Sequence, residues 1–492
     1  MRTLAERQIC SFGEGPLGSG SLCKRFEKSM YRPQVRELIA NQESPLTLFA
    51  IGSIMAFSVV AIACEGLSYD EAWSLFMVQH PGRWIYDAHP PVFYWLSSLL
   101  GPTSDIAGRL LNLLYLAFAT GAVMVIGRQK PSARLQLTIA AVVMVACPLC
   151  LYAIVNFRSY TLMLALWGIT VATFLAVALD QLDFQRGDWP VAALGGIGIV
   201  GSLNLHYFDT LLVASMLGIF IVSEWLAGQR RWALLHIAAA GAGSAIFLFL
   251  VTIHLPTLRA ISSQLEWSSS LFGSIKVAAS VLALIFCVNL AALYAAIGKP
   301  QRFAGVCAVA LITAVGVALA ANAMHGVLLR RYLMPLVPVG AALIAAQIRS
   351  LNSRMYVAML ANAVLASGAY LVLSSERNWD VLAELIGRAV KDCPSTQVIG
   401  VQNWRMAGIE PDPLPDQAKV YALGYGFVAR HHNFRLRMAG PAASAATCPV
   451  IVWAEHYQYP MPTPAQIASR ANVHGKFTEI WRSKTGFAAV FR

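Results

Sequence analysis

Two carboxylates stand side by side at Asp70 and Glu71, in the stretch Ser68-Tyr69-Asp70-Glu71-Ala72-Trp73-Ser74. Neighbouring carboxylates raise each other's pKa, and one of them can then take a proton from a hydroxyl as a general base. A plainer role is equally open, with Asp70 capping a helix that begins at Glu71. Downstream, His89-Pro90-Pro91 fixes an extended entry to an aromatic helix containing Phe93, Tyr94 and Trp95. His89 is either structural there or a ligand contact. Arg158, Arg330 and Arg331 each sit where an apolar run begins. Guanidinium groups at such boundaries either anchor lipid phosphates or hold an anionic ligand by paired hydrogen bonds. Tyr160, Tyr207 and Tyr332 lie beside these positions and offer hydroxyls to a phosphate or sugar, or serve simply as interfacial aromatics. His206 stands at a junction of two apolar runs, where it can meet a ligand, cap a helix or bind a metal.

The elements that must position these groups are lipid-solvated. Of the 492 residues, 57% are apolar and 13% charged, against roughly 25% charged in an ordinary soluble domain. That composition excludes a soluble enzyme. Residues 46–373 carry 17 basic and 11 acidic side chains, whereas the much shorter stretch 374–492 carries 13 and 9, so the first reads as membrane-embedded and the second as aqueous. The net charge of +12 is no nucleic-acid signature, because the basic residues are scattered among short hydrophilic breaks. Residues 1–45 are polar and of mixed charge, without the apolar stretch of a signal peptide, and are expected to form a cytosolic tail.

A hydrocarbon core of about 30 Å takes roughly 20 apolar residues per helix. Cutting the middle at its charged and Pro/Gly-rich breaks predicts eleven spans, near 46–65, 106–127, 135–153, 160–179, 190–206, 208–226, 233–255, 273–297, 303–324, 332–348 and 355–373. With the N-terminus inside, the inner loops hold Arg128, Lys130, Arg134, Arg186, Arg230, Arg231, Lys299, Arg302, Arg349 and Arg354, and the outer ones only Arg83, Arg158, Arg259, Arg330 and Arg331. This bias orients the chain and places residues 374–492 outside. The outer side also collects Asp70, Glu71, Asp87, His89, His206, Asp209, Glu266, Trp267 and His325, so any chemistry is expected there. Arg109 and Lys276, just inside their spans, are expected to snorkel to the outer surface. The absence of any Asn-x-Ser/Thr acceptor favours a bacterial inner (plasma) membrane over a secretory pathway.

From residue 374 the pattern alternates between helices near 379–391 and 464–471 and strands near 396–401, 450–454, 477–481 and 487–491, which implies a small extracytoplasmic α/β domain. Cys393 and Cys448 each precede a proline and then a strand, and are candidate disulfide partners in an oxidising compartment. Cys147 and Cys150 form a CxxC with Pro148 inside an apolar run and no second pair nearby, which argues against zinc.

Four stretches in order carry a resemblance: the Ser68–Ser74 segment followed by His89-Pro90-Pro91-Val92-Phe93-Tyr94-Trp95, then Asn156-Phe157-Arg158-Ser159-Tyr160, His206-Tyr207-Phe208, and Arg330-Arg331-Tyr332-Leu333-Met334-Pro335. Together they cover most of residues 60–340, and the chain resembles bacterial membrane glycosyltransferases of the C superfamily (GT-C), relatives of the family 39 protein O-mannosyltransferases and of the lipid A aminoarabinose transferase. The resemblance implies an all-α polytopic membrane domain at 46–373, a long first outer loop at 65–105, and a C-terminal α/β domain. It implies transfer of a sugar from a polyprenyl-phosphate donor to an envelope lipid, polysaccharide or protein acceptor on the outer face, with inversion. It assigns Asp70 as base with Glu71 orienting it or the acceptor, Arg158, Arg331, Arg330 and Tyr332 to the donor phosphate, and His89, Tyr94, Tyr160, His206 and Tyr207 to substrate. No cofactor is expected: Asp70, Glu71, Asp87, His89 and His206 include ligand types for a divalent metal, but their spacing demands none. Two other readings compete, a lipid-linked sugar flippase or transporter and a polymerase or ligase using polyprenyl diphosphates. A transporter would place its titratable groups at midplane within paired, broken helices, and the sequence shows neither.

Overall fold

Apolar helices account for most of the fold in a computed structural model of the chain. The structure describes residues 69–87, 89–262, 271–287, 301–324, 328–348, 379–401, 425–438, 447–455, 461–483 and 486–492, with scattered positions such as 58–62 and 443–444. The predicted first and eleventh spans, together with Glu266, Trp267 and His325, therefore fall largely or wholly outside the described residues.

After the helical positions 58–62, the described elements open with short helices: α1 (Tyr69–Gln79), a 3-10 turn (Pro81–Tyr86) and α2 (Val92–Ser98). Then follow α3 (Asp105–Gln129), α4 (Arg134–Val145), α5 (Pro148–Val155), α6 (Ser159–Asp180), α7 (Trp189–Ser202), α8 (Tyr207–Leu226), α9 (Arg230–Ser262), α10 (Leu271–Cys287), α11 (Arg302–Met324) and α12 (Leu336–Gln347). Among the described residues, α3, α6, α8, α9 and α11 are long and apolar enough to cross a membrane, and α4 with α5 form one further, bent span. Of the eleven expected spans, the described residues thus show five that meet this test, or six with the broken pair, beside shorter apolar helices at Gly273–Phe286 and Leu336–Gln347. The run 135–153 is not one helix but two, inclined at 61°. Pro148 opens the second; its ring has no N–H to continue the first helix's ladder and clashes with the preceding turn.

Helix α6 is apolar on every side, and its hydrophobic stretch is 89% buried, which makes it the core. It packs against α3, α4, α7 and α12. Gly198 permits the closest of these approaches, since a Cβ there would fall 2.6 Å from the Leu166 carbonyl. Small residues let helices meet in lipid where no hydrophobic effect drives them together. At the end of α6 away from Arg158, polar residues close on each other: Lys130 Nζ lies 2.7 Å from Asp180 and 2.8 Å from Asp188, and His236 Nδ1 lies 2.8 Å from Glu224.

The C-terminal part is a mixed five-stranded sheet in the order β2-β1-β4-β7-β6, formed by β1 (Gln397–Val401), β2 (Leu436–Met438), β4 (Val450–Glu455), β6 (Phe477–Arg482) and β7 (Gly486–Phe491), with a separate small pair, β3 (Ala443–Ser444) and β5 (Val473–His474). Strand β1 runs parallel to β2 and β4, while β7 runs antiparallel to β4 and β6. The helices Trp379–Asp392 and Pro464–Ala471 accompany it. Its core gathers Ile399, Val401, Val450, Val452, Phe487 and Phe491, which explains why the central strands read as apolar runs. The short edge strand β2 carries Arg437 and gave no such run. Cys393 and Cys448 are joined in a disulfide, with Cα atoms 5.8 Å apart.

Candidate active site

Helix α1 begins at Tyr69, so Asp70 lies within its first turn rather than capping it. Its carboxylate goes to cations from two distant elements. Arg158 Nη2 donates to Asp70 Oδ1 at 2.7 Å, and Arg331 Nη1 donates to Oδ2 at 2.5 Å. Arg158 is delivered by the break between α5 and α6, where it stands just before Ser159 with an extended backbone. Arg331 comes from a 3-10 turn, Arg330–Leu333, ahead of α12. Burial alone would push the Asp70 carboxyl up, but the two guanidinium groups outweigh it and hold its pKa well below the usual carboxylate range. Both arginines remain cationic for the converse reason, the attraction of surrounding anions and phenols exceeding the penalty of burial. The Nε of each is buried and has no hydrogen-bond partner among the described residues. The cluster thus keeps N–H donors beyond those its own carboxylate uses.

A second carboxylate, Asp87, lies on the other side of Arg158, its Oδ2 3.9 Å from Nη1. The Tyr94 hydroxyl donates to it, and His89 Nδ1 lies 3.2 Å from it. Burial pushes His89 down to about 4, against the pull of Asp87, so the ring is neutral at pH 7 and its Nδ1–H donates to the carboxylate. The His89 ring meets that of His206 at 4.7 Å, and His206 in turn meets Tyr332 at 4.8 Å and Tyr160 at 6.1 Å. His206 caps α8, its Nδ1 facing the Asp209 backbone N–H at 3.3 Å. Among the described residues no three His, Cys, Asp or Glu side chains gather to hold a metal ion.

The sequence candidates therefore separate into those brought together and those placed elsewhere. Asp70, Arg158, Arg331, Tyr332, His89, Tyr94, Tyr160 and His206 share one cluster. Tyr207 stands one layer away, bonded at 2.8 Å to His254 Nδ1, whose Nε2 lies 3.0 Å from the Ile85 carbonyl. Arg330 is exposed and is not joined to the cluster among the described residues. Glu71 turns away from Asp70: Arg109 Nε and Nη2 each donate to it at 2.7 Å, and the Phe157 N–H donates at 3.2 Å. Glu71 is 1% exposed and Arg109 not at all. Snorkelling is thus overturned for Arg109, because the carboxylate offers it a bidentate partner where lipid or water would otherwise be needed. Sequence reasoning also passed over Asn112 and His254. An ionisable or amide side chain inside an apolar run was the available signal.

No protein-family model matches the chain, and no curated protein sequence matches it. Two solved structures share its fold: ArnT from Cupriavidus metallidurans bound to undecaprenyl phosphate, 13% identical with a TM-score of 0.56 over 90% of this chain and 97% of that one, and the same protein in the apo state, 11% identical with a TM-score of 0.57 over 91% and 98%. The chain thus shares the fold of these two ArnT structures over nearly its whole length.

Proposed function

We propose that the protein, sharing that fold, is an integral-membrane glycosyltransferase that moves a sugar from a polyprenyl-phosphate donor to an acceptor hydroxyl at the outer face of a bacterial plasma membrane. The supporting observation is the grip of two guanidinium groups, Arg158 and Arg331, on the Asp70 carboxylate at one end of an apolar helical bundle. Two such cations with buried N–H donors still unpartnered suit a phosphate. The neighbouring fold was crystallised with undecaprenyl phosphate.

In this reading Arg158 and Arg331 take the non-bridging oxygens of the donor phosphodiester. The acceptor oxygen attacks the anomeric carbon from the face opposite the phosphate. The bond from that carbon to the phosphate oxygen breaks, its electron pair stays on the oxygen, and polyprenyl phosphate departs. Asp70 receives the acceptor's proton. A single displacement inverts configuration and needs no second carboxylate as nucleophile. Asp87, His89, Tyr94 and His206 line the side where sugar or acceptor hydroxyls are held, and Tyr160 and Tyr332 flank the phosphate. Glu71, closed off by Arg109, positions α1 and does not touch substrate.

A carboxylate held by two guanidinium groups is a poor base, and this is informative. A phosphate entering the site competes for the same N–H donors, and the Asp70 carboxylate loses hydrogen bonds while gaining an anionic neighbour. Both changes raise its affinity for a proton. During transfer, negative charge leaves Asp70 as it grows on the departing phosphate, beside the same two cations, so the site is electrostatically balanced throughout.

The experiment is comparative mass spectrometry of envelope glycans and lipids in a deletion strain, with purified protein assayed on polyprenyl-phosphate sugars. Loss of one sugar, restored by the wild-type gene and accompanied by release of polyprenyl phosphate in vitro, supports the reading. Turnover only with polyprenyl-diphosphate donors would replace it with a polymerase or ligase.

A further inference from the structure

Helix α5 ends at Val155, three residues before Arg158, and its last carbonyls have no intrahelical partners. In a water-poor bundle each must be satisfied by protein. The Asn156 amide donates to the Tyr152 carbonyl at 2.8 Å, and a side chain from another helix serves the next two. The Asn112 amide nitrogen, on α3, lies 3.2 Å from the Ala153 carbonyl, 3.0 Å from that of Ile154 and 3.0 Å from that of Asn156. Thr161 adds a bond of 2.7 Å to the Ala153 carbonyl. The Asn156 carbonyl also receives the Arg158 backbone N–H at 2.8 Å, so the atom Asn112 grips is the one that fixes the Arg158 backbone. Asn112 is wholly buried and 41 to 44 residues away in sequence, and among the described residues its hydrogen bonds go to these carbonyls and not to Asp70, Arg331 or another side chain of the anion cluster.

The same face of α3 holds the intervening residue. A Cβ on Gly108 would meet the Phe157 ring at 2.6 Å, so glycine is required for the ring to lie there. Arg109, beside it, fixes Glu71, which accepts from the Phe157 N–H. Residues 156, 157 and 158 thus form a loop clamped from one helix, with Asn112 at its entrance.

We infer that Asn112 is the positioning residue for Arg158: by tying off the open end of α5 it sets the guanidinium in the place where it grips Asp70 and, on the function proposed above, the donor phosphate. The inference rests on that proposal only for the identity of the anion. Without the amide, whose two N–H groups are shared among three carbonyls, those of Ile154 and Asn156 lose its hydrogen bonds while that of Ala153 keeps Thr161; the loop relaxes outward and Arg158 loses its aim, while Arg331, carried by a separate turn before α12, keeps its own.

Two measurements on the full-length protein in detergent test this. The first needs no ligand: an arginine-selective dicarbonyl reagent is applied and modification of each arginine-containing peptide is followed by mass spectrometry. Asn112→Ala should speed labelling of Arg158 about tenfold and leave Arg331 within twofold of wild type; Asn112→Ser, which keeps a donor and supplies a second variant if alanine prevents folding, should give a smaller rise at Arg158 alone. Unchanged Arg158 labelling, or equal acceleration at both arginines, overturns the inference. The second is a double-mutant cycle on the affinity for undecaprenyl phosphate. Asn112→Ala should weaken binding about tenfold in the wild-type and Arg331→Gln backgrounds and less than twofold in Arg158→Gln. Equal loss in all backgrounds contradicts a role through Arg158. If wild-type protein binds no undecaprenyl phosphate while the labelling behaves as expected, the proposed donor fails and the positioning role of Asn112 stands.

Discussion

Arg158 Nη2 and Asp70 Oδ1 are 2.7 Å apart although 88 residues separate them in the chain. The pair places a candidate base and a candidate phosphate clamp in one hydrogen bond, so binding and proton transfer are coupled through a single guanidinium. Replacing Asp70 should therefore have opposite effects on the two. Asp70→Asn removes the anion that competes for Arg158 and Arg331, and the affinity for undecaprenyl phosphate should rise by about tenfold, near 1.4 kcal/mol. A binding titration in detergent checks this, and weaker binding would show that the carboxylate helps to hold the ligand.

Lysine keeps the charge of arginine but not its planar fork. Arg158→Lys should bind undecaprenyl phosphate at least about tenfold more weakly, because a single ammonium cannot serve Asp70 and a phosphate oxygen with parallel bonds. Arg331→Lys should behave alike, whereas Arg330→Lys, at an exposed position, should change affinity less than twofold. Equal losses at Arg330 and Arg331 would remove the distinction drawn between them.

The Glu71–Arg109 pair is buried on both sides. Removing one partner strands the other charge, which typically costs about 3–5 kcal/mol, whereas replacing both by apolar groups is far milder. Glu71→Leu and Arg109→Met should each lower thermal stability sharply, and the double variant should recover much of the loss. Strictly additive losses would show that the two charges do not depend on each other.

His89 gives the site its pH dependence. Burial lowers its pKa to about 4 in the folded protein, below its value of about 6.5 in an unfolded chain. Between these values the unfolded chain binds a proton that the folded protein does not, so stability is full above about pH 6.5 and falls as pH drops toward 4, by up to about 3 kcal/mol. The groups around the ring are Asp87, His206, Arg158 and Asp70. Thermal unfolding of wild type and His89→Gln across this range should show a slope that the variant loses. A variant with an unaltered slope would assign the dependence to another group.

Much of this arrangement was legible because membrane solvation makes boundaries conspicuous. Arg158 and Arg331 each stand where an apolar run begins and Asp70 just beyond the end of the first, and hydropathy marks such boundaries. The strands 450–455 and 486–491 were legible as well, being buried runs. What stayed hidden depended on which way a side chain turns. Asp70 and Glu71 are adjacent and alike in chemistry, yet successive positions on a helix point about 100° apart, so one faces the arginines of the site and the other Arg109. Asn112 was marked only as an amide inside an apolar run, and its partners stayed hidden because they are backbone carbonyls that no residue type reveals. The bend at Pro148 was visible in the chain, but hydropathy averaged over 135–153 concealed it.

The most direct test is single-turnover sugar transfer by purified Asp70→Asn with a polyprenyl-phosphate donor, measured alongside undecaprenyl phosphate binding by the same preparation. Transfer abolished while binding persists or tightens is the predicted result, since the proton acceptor is gone and the phosphate clamp intact. Transfer at the wild-type rate would contradict the assignment of Asp70 as base.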